Sequence, residues 1–217
     1  MIKKKLNSTE MKELQINEAY NRNKTEVIEI FSLFMESIRA VKVELVTLDK
    51  SHTKYINERA FAYELYRQIS NRLYKDVKDW GKWQDEDHIV VNAEIYKRRS
   101  ESQENDNGVY PDIVIHGGQE NTDKQILICE IKKMASSEAI KEDVDKLLTY
   151  MDYDKMSAHP YPLAVFVNVG PLDTFMNNLE KTMFNKPING SLVFISYNKG
   201  NAKIAMIKPG KYFKISD

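Results

Sequence analysis

Two runs, VYPDIVIH at 109–116 and QILICEIKK at 125–133, decide the reading of this chain. Both are short, dense in β-branched residues and bounded by polar or turn-forming stretches, the pattern of β-strands. Pro111 stands near the start of the first run, where a missing N–H is tolerated. His116-Gly-Gly-Gln and the polar residues to Lys124 supply a hairpin connection, so the two strands are expected to be antiparallel. Side chains on a strand alternate, so Asp112, Val114 and His116 share one face. On the second strand Ile126, Ile128, Glu130 and Lys132 share one face. If His116 stands opposite Ile126, Asp112 falls opposite Glu130.

That pairing has a chemical consequence. Directly opposed side chains have Cβ atoms about 4.5–5.5 Å apart, and like charges so placed repel. Two carboxylates there call for a cation between them. Mg²⁺ is held at about 2.0–2.1 Å by one or two carboxylates together with water and substrate phosphate. Lys132 lies two residues past Glu130 on the same face, about 6.6 Å along the strand. Its ammonium can orient a water or offset charge developing on a phosphate. A hard cation, two carboxylates and a lysine are the parts of metal-assisted phosphodiester hydrolysis.

Outward from this pair, residues 8 to about 48 are expected to be helical. Val27, Ile28, Phe31, Phe34, Met35 and Ile38 recur at three- and four-residue spacing, and no Gly or Pro precedes Gly81. This stretch reads as a packing extension or dimerisation helix. A second helix is expected from Asn57 to Lys78, with Asn57 as N-cap and Phe61, Leu65, Ile69 and Leu73 as its ladder. Glu58 then lies near the buried edge of that helix, and Glu64 is expected to be solvated. Strand 88–98 follows, then the polar connection KRRSESQENDNG. After the hairpin come a helix over SSEAIKEDVDKLLTYMD, capped by Ser136 or Ser137, and a strand at 162–170 covered on both faces. A short helix from about 172 to 184 and a strand pair at 191–197 and 202–208 complete the chain. The pattern is one α/β domain at 51–217 behind a helical N-terminal extension at 1–50.

The residues Pro111-Asp112 and Glu130-Ile131-Lys132, in that setting, resemble the PD-(D/E)XK nuclease superfamily. The resemblance covers roughly residues 56 to 170. It implies a restriction-endonuclease-like core: a mixed central sheet flanked by helices, in the order helix, three strands, helix, strand. It further implies a metal-dependent nuclease in which Asp112, Glu130 and Glu58 bind Mg²⁺ (Mn²⁺ substituting) and Lys132 assists the attacking water. One branch of the superfamily carries a Gln and a Tyr in the helix after the ExK motif. Here that helix has Tyr150 and no Gln, which sets the chain nearer to resolvase- and restriction-like members. The expected substrate is nucleic acid, DNA foremost. The alternative is a catalytically inactive nucleic-acid- or protein-binding module on the same fold, in a defence or mobile-element setting.

Other residues are secondary. Glu94 and Glu64 are possible additional carboxylates. Lys97, Arg98 and Arg99 form a basic run that could touch phosphates. Cys129 alternates away from Glu130 and reads as a small buried residue. The four histidines have no metal-ligand spacing, and no Gly-rich phosphate loop or dinucleotide fingerprint occurs. Lys plus Arg and Asp plus Glu both total 32, which argues against a histone-like polybasic protein and for only a few phosphate contacts. One cysteine excludes an internal disulfide framework. No apolar run has the roughly 20 residues a membrane span needs, and the basic start MIKKK is not followed by a signal-type apolar stretch. The expected location is the cytoplasm, with a homodimer through the N-terminal helices possible.

Overall fold

The computed structural model describes residues 24–50, 53–74, 89–93, 111–117, 124–152, 160–182, 188 and 190–209. The elements in chain order are α1 (Lys24–Arg39), α2 (Val43–Val46), β1 (Thr47–Lys50), β2 (Thr53–Ile56), α3 (Glu58–Leu73) and β3 (Ile89–Ala93). They continue with β4 (Ile113–Gly117), β5 (Gln125–Lys133), α4 (Ser137–Tyr150), β6 (Leu163–Val169), α5 (Leu172–Glu180), β7 (Ser191–Asn198) and β8 (Asn201–Pro209). Among the described residues, β3 to β8 form one six-stranded mixed sheet in sequential order. β5, β6 and β7 run parallel, and the other neighbours pair antiparallel. The fold is α/β, a mixed sheet flanked by helices.

The two parallel links explain the layering. A crossover between parallel strands needs a helix over one face of the sheet, and successive right-handed crossovers in one direction use the same face. Accordingly α4 and α5 pack Ile140, Val144, Leu147, Phe175 and Leu179 against Val114, Ile128, Phe166 and Phe194. The opposite face, with Ile113, Cys129, Val165 and Val193, is covered by α1 and α3 through Phe31, Phe34, Phe61 and Leu65. β6 is buried along its whole length, as its near-continuous apolar sequence predicts.

The expected single helix over 8–48 is corrected. α1 ends at Arg39, and Ala40 N–H reaches both Glu36 O and Ser37 O at 3.1 Å as the last turn tightens. The chain breaks over residues 40–42, makes the single turn of α2, and enters β1 at Thr47. Tyr197 Oη, on the sheet face that α1 covers, donates to Val41 O at 2.8 Å and helps to hold the chain in its new course. Thr47–Lys50 and Thr53–Ile56 pair antiparallel, on either side of the expected boundary at residue 50. The apolar stripe of α1 is spent within the chain: Val27, Phe31, Phe34, Met35 and Ile38 are buried in the same core as the sheet. Residues 8–23 lie outside the described residues. No described helix is long and apolar enough to cross a membrane.

Two glycines take positive φ for different reasons. Gly200 (φ +83°) follows Lys199 in the turn between β7 and β8, and a Cβ there would meet nothing within 4 Å. Gly190 (φ +111°) precedes β7, and a Cβ there would lie 2.5 Å from Pro162 O and 2.7 Å from Met151 Cε. Gly200→Ala is expected to cost about 1 kcal/mol through backbone strain alone. Gly190→Ala should cost more, about 2–4 kcal/mol, since overpacking adds to the strain. Urea unfolding of the two variants checks the order.

Candidate functional site

The hairpin of β4 and β5 sets the first two side chains. Its register pairs Ile113 with Cys129, Val114 with Ile128 and Ile115 with Leu127. Asp112 lies one residue before the Ile113–Cys129 pair and Glu130 one residue after it, so continuing the register would set the two level. At the other end the register slips, and His116 pairs with Gln125 instead of Ile126. The extra residue, Ile126, packs with Leu127 in the core under α1 and α3 and so leaves the face of Ile128 and Glu130. A bulge adds one residue to one strand, a shift that alternation alone does not reveal. His116 is buried and its Nε2 lies 2.9 Å from Asn92 Nδ2, on the strand next door and away from Asp112.

Asp112 sits just ahead of β4, behind the buried Pro111. Its Oδ2 accepts the Ile131 N–H at 2.6 Å, so the carboxylate extends the strand pairing by one bond beyond the backbone of β4. Glu130 is 5% exposed, and its Oε1 is buried with no hydrogen-bond partner among the described residues. Glu58 stands in the first turn of α3. Asn57 caps that helix by accepting the Ala60 N–H at 2.8 Å, which aims the first turn at the end of β5. There Glu58 Oε2 accepts the Lys133 N–H at 2.6 Å. Three carboxylates are thus gathered around the last turnless residues of β5, two of them bonded to its backbone.

The chain leaving β5 turns through Met134, whose φ of 49° is left-handed. Ala135 is gripped on both backbone groups: its N–H donates to Asn168 Oδ1 and its carbonyl accepts from Asn178 Nδ2, each at 2.9 Å. Ser136 then caps α4 by accepting the Ala139 N–H. This course carries Asp143 of α4 back over the same face of β5. Asp143 is 3% exposed; its Oδ1 lies 2.6 Å from Lys146 Nζ and its Oδ2 3.8 Å from Lys132 Nζ. Sequence reasoning missed Asp143. The signal was present, since position 143 is three past Ile140 and four before Leu147 and so belongs to the buried stripe of the helix.

Electrostatics follow from burial. Loss of water pushes the Asp112 carboxyl up to about 6; the Ile131 N–H opposes this, and the charges of Glu58 and Asp143 add to it. Burial pushes Glu130 up to about 9, with Asp112 and Asp143 adding to the rise and Lys146 and Lys132 opposing it. The Cys129 thiol, fully buried on the opposite face of β5, is pushed far up by burial and is inert. The charge of a cation beside Asp112 and Glu130 would oppose both rises.

The other expected residues stand apart. Glu64 is buried, which corrects its reading as solvated. Arg67 Nε and Nη2 and Gln68 Nε2 each donate to it at 2.7 Å, so its charge is answered within its own helix. Glu94, Lys97, Arg98 and Arg99 lie outside the described residues. No group of three or more His, Cys, Asp or Glu side chains converges as a ready ligand set among the described residues. Asp112, Glu130 and Glu58 are neighbours around β5 without forming a closed three-carboxylate cage. Their fit to a metal rests on the orphaned Oε1 of Glu130 beside Asp112, which suits Mg²⁺ held by one or two carboxylates and water. An open groove of about 570 Å³ runs past the end of β5, lined in part by Lys133, Met134, Gly170, Pro171 and Lys199.

Both raised carboxyls bind protons in the folded chain at pH values where the unfolded chain has released them. Their stabilising contribution is full below the ordinary values of 3.8 and 4.5 and is lost as pH rises through about 6 for Asp112 and about 9 for Glu130. The melting temperature of the metal-free chain should therefore fall between about pH 5 and pH 9. Glu130→Gln, which keeps the shape and removes the charge, should flatten the upper part of that fall. Comparison with protein-family models, curated proteins and solved structures found no match.

Proposed function

We propose that this chain is a Mg²⁺-dependent nuclease-like protein that hydrolyses nucleic-acid phosphodiester bonds, with DNA as the foremost substrate. The observation that carries the reading is the nearness of two buried carboxylates at the end of β5: Asp112, bonded to Ile131 N–H, and Glu130, which has one buried, unanswered carboxylate oxygen. The element order α3-β3-β4-β5-α4-β6 supports it, being the order of the PD-(D/E)XK core. So does the position, since ligands in open α/β sheets bind outside the carboxyl ends of the parallel strands.

Asp112 and Glu130 would hold the metal, with Mn²⁺ able to substitute, and Glu58 would border the site from α3. The bound ion supplies Lewis acidity toward a phosphate oxygen and an acidified water. Lys132 presents its ammonium on the face of Glu130, where it orients the water and offsets charge gathering on the phosphate. Glu58, by accepting the Lys133 N–H, holds the end of β5 and thereby the two side chains on either side of Ile131.

A second reading is a non-catalytic binding module on the same fold. It is favoured by the bonds that Asp112 and Glu58 make to β5 backbone, which give each carboxylate a structural reason to be there. Calorimetry with Mn²⁺ separates the two. The nuclease reading expects binding that disappears in Glu130→Gln; absence of binding in the wild-type chain favours the module. On plasmid DNA with Mg²⁺, Lys132→Ala should reduce cleavage by about 10²–10⁴-fold while the circular dichroism spectrum is unchanged. Metal-independent cleavage, or full activity in that variant, overturns the mechanism.

A further inference from the structure

We infer that Asp143 is a positioning residue that holds the Lys132 ammonium over the Glu130 face of β5, with Lys146 as its fixed counter-ion. The inference rests on the nuclease reading and extends it to two residues of α4.

The geometry divides the labour between the two oxygens of one carboxylate. Oδ1 is bonded to Lys146 Nζ at 2.6 Å, an i,i+3 pair within the helix. Oδ2 faces Lys132 Nζ at 3.8 Å, too long for a hydrogen bond and short enough for charge attraction. Asp143 can thus steer the Lys132 ammonium without consuming its N–H donors, which stay available for a water or a phosphate oxygen. Lys132 has a long flexible stem and a side chain 41% exposed, so without an anion behind it the ammonium would spread through solvent.

A plain helix ion pair does not account for the placement. Such pairs sit at the surface and contribute little. Asp143 instead is 3% exposed in the apolar stripe of α4, beside Ile140, Val144 and Leu147, where an apolar side chain would pack. Its charge also adds to that of two other buried carboxylates, Asp112 and Glu130. A third carboxylate there is unfavourable to the fold unless something else is gained. Its location is tightly held: Asn168 and Asn178 grip Ala135, and Ser136 caps the helix, so α4 is pinned to the end of β5 two turns before Asp143. Asn168 is itself the β6 partner of Lys132 in the sheet register. The same few residues therefore fix both ends of the Lys132–Asp143 contact.

The test uses the full chain and its Asp143→Asn variant, which keeps the shape and removes the charge. Nuclear relaxation of the lysine ¹⁵Nζ ammonium groups, with signals assigned through Lys132→Arg and Lys146→Arg, reports order without reference to activity. The Lys132 signal should be ordered in the wild-type chain and mobile in Asp143→Asn. With plasmid DNA and Mn²⁺, kcat should fall about 10²-fold, as displacement of a catalytic group does. KM and the Mn²⁺ dissociation constant should change less than about threefold, because Asp143 is assigned no part in either binding step. Asp143→Glu, which keeps the charge, should restore part of kcat; if Asp143→Asn does not fold, Asp143→Ser replaces it as the charge-removing variant in every comparison. Unchanged Lys132 order, or unchanged kcat, overturns the inference while leaving the nuclease reading intact. A loss of Mn²⁺ affinity equal to the loss of kcat also overturns it, by making Asp143 part of the metal site. A wild-type chain that neither binds Mn²⁺ nor cuts DNA overturns the nuclease reading and the positioning role with it.

Discussion

The 2.6 Å hydrogen bond from Ile131 N–H to Asp112 Oδ2 joins the fold to its candidate chemistry. It continues the β4–β5 pairing past the point where β4 backbone ends, and so holds the register that sets Asp112 level with Glu130. A slip of one residue would send Glu130 and Lys132 into the core under α1 and α3 and bring Cys129 and Ile131 to the site. Burial makes that slip expensive, since the two faces of β5 contribute to two separate apolar clusters. The strand pair is therefore fixed by apolar packing along its length and by a carboxylate at its end.

The same burial makes the site unfavourable when it stands alone. Asp112, Glu130 and Asp143 place three carboxylates near one another with little water, and Lys132 and Lys146 answer them only in part. A fold selected for stability alone would put apolar residues at 130 and 143, as it does at their neighbours Ile128 and Val144. The rest of the molecule supports this arrangement by rigidity. A sheet whose central strands are buried on both faces anchors β5, and the Asn168–Ala135–Asn178 bonds anchor α4 to its end.

Much of the fold was readable from short-range pattern. Asn57 ahead of the Phe61-Leu65-Ile69 ladder marked the start of α3, and Asn57 does cap it. The near-continuous apolar run at 162–170 marked a strand covered on both faces, which β6 is. The turn residues after Tyr197 marked the β7–β8 hairpin. Pattern failed where distant contacts decide. No Gly or Pro occurs at 41–50, yet the long helix ends at Arg39, one further turn forms at Val43–Val46 and strand begins at Thr47, while Tyr197 Oη donates to the Val41 carbonyl. Glu64 read as solvated from its angle on the helix, and is buried because Arg67 and Gln68 fold back over it.

By itself the sequence determined the strand pair, its face alternation and the residue types that Asp112, Glu130 and Lys132 bring to one place. Those depend on a two-residue period and a neighbouring hairpin, both local in the chain. Only the tertiary structure decided which carboxylates gather round β5 and what each of them does there. Glu58 arrives from 75 residues upstream to bond Lys133 N–H. Asp143 arrives on a helix whose direction is set by asparagines of β6 and α5. Whether a buried acid faces a backbone N–H, an ammonium or nothing is a matter of long-range packing, and that difference separates a structural carboxylate from one with an oxygen left to bind a cation.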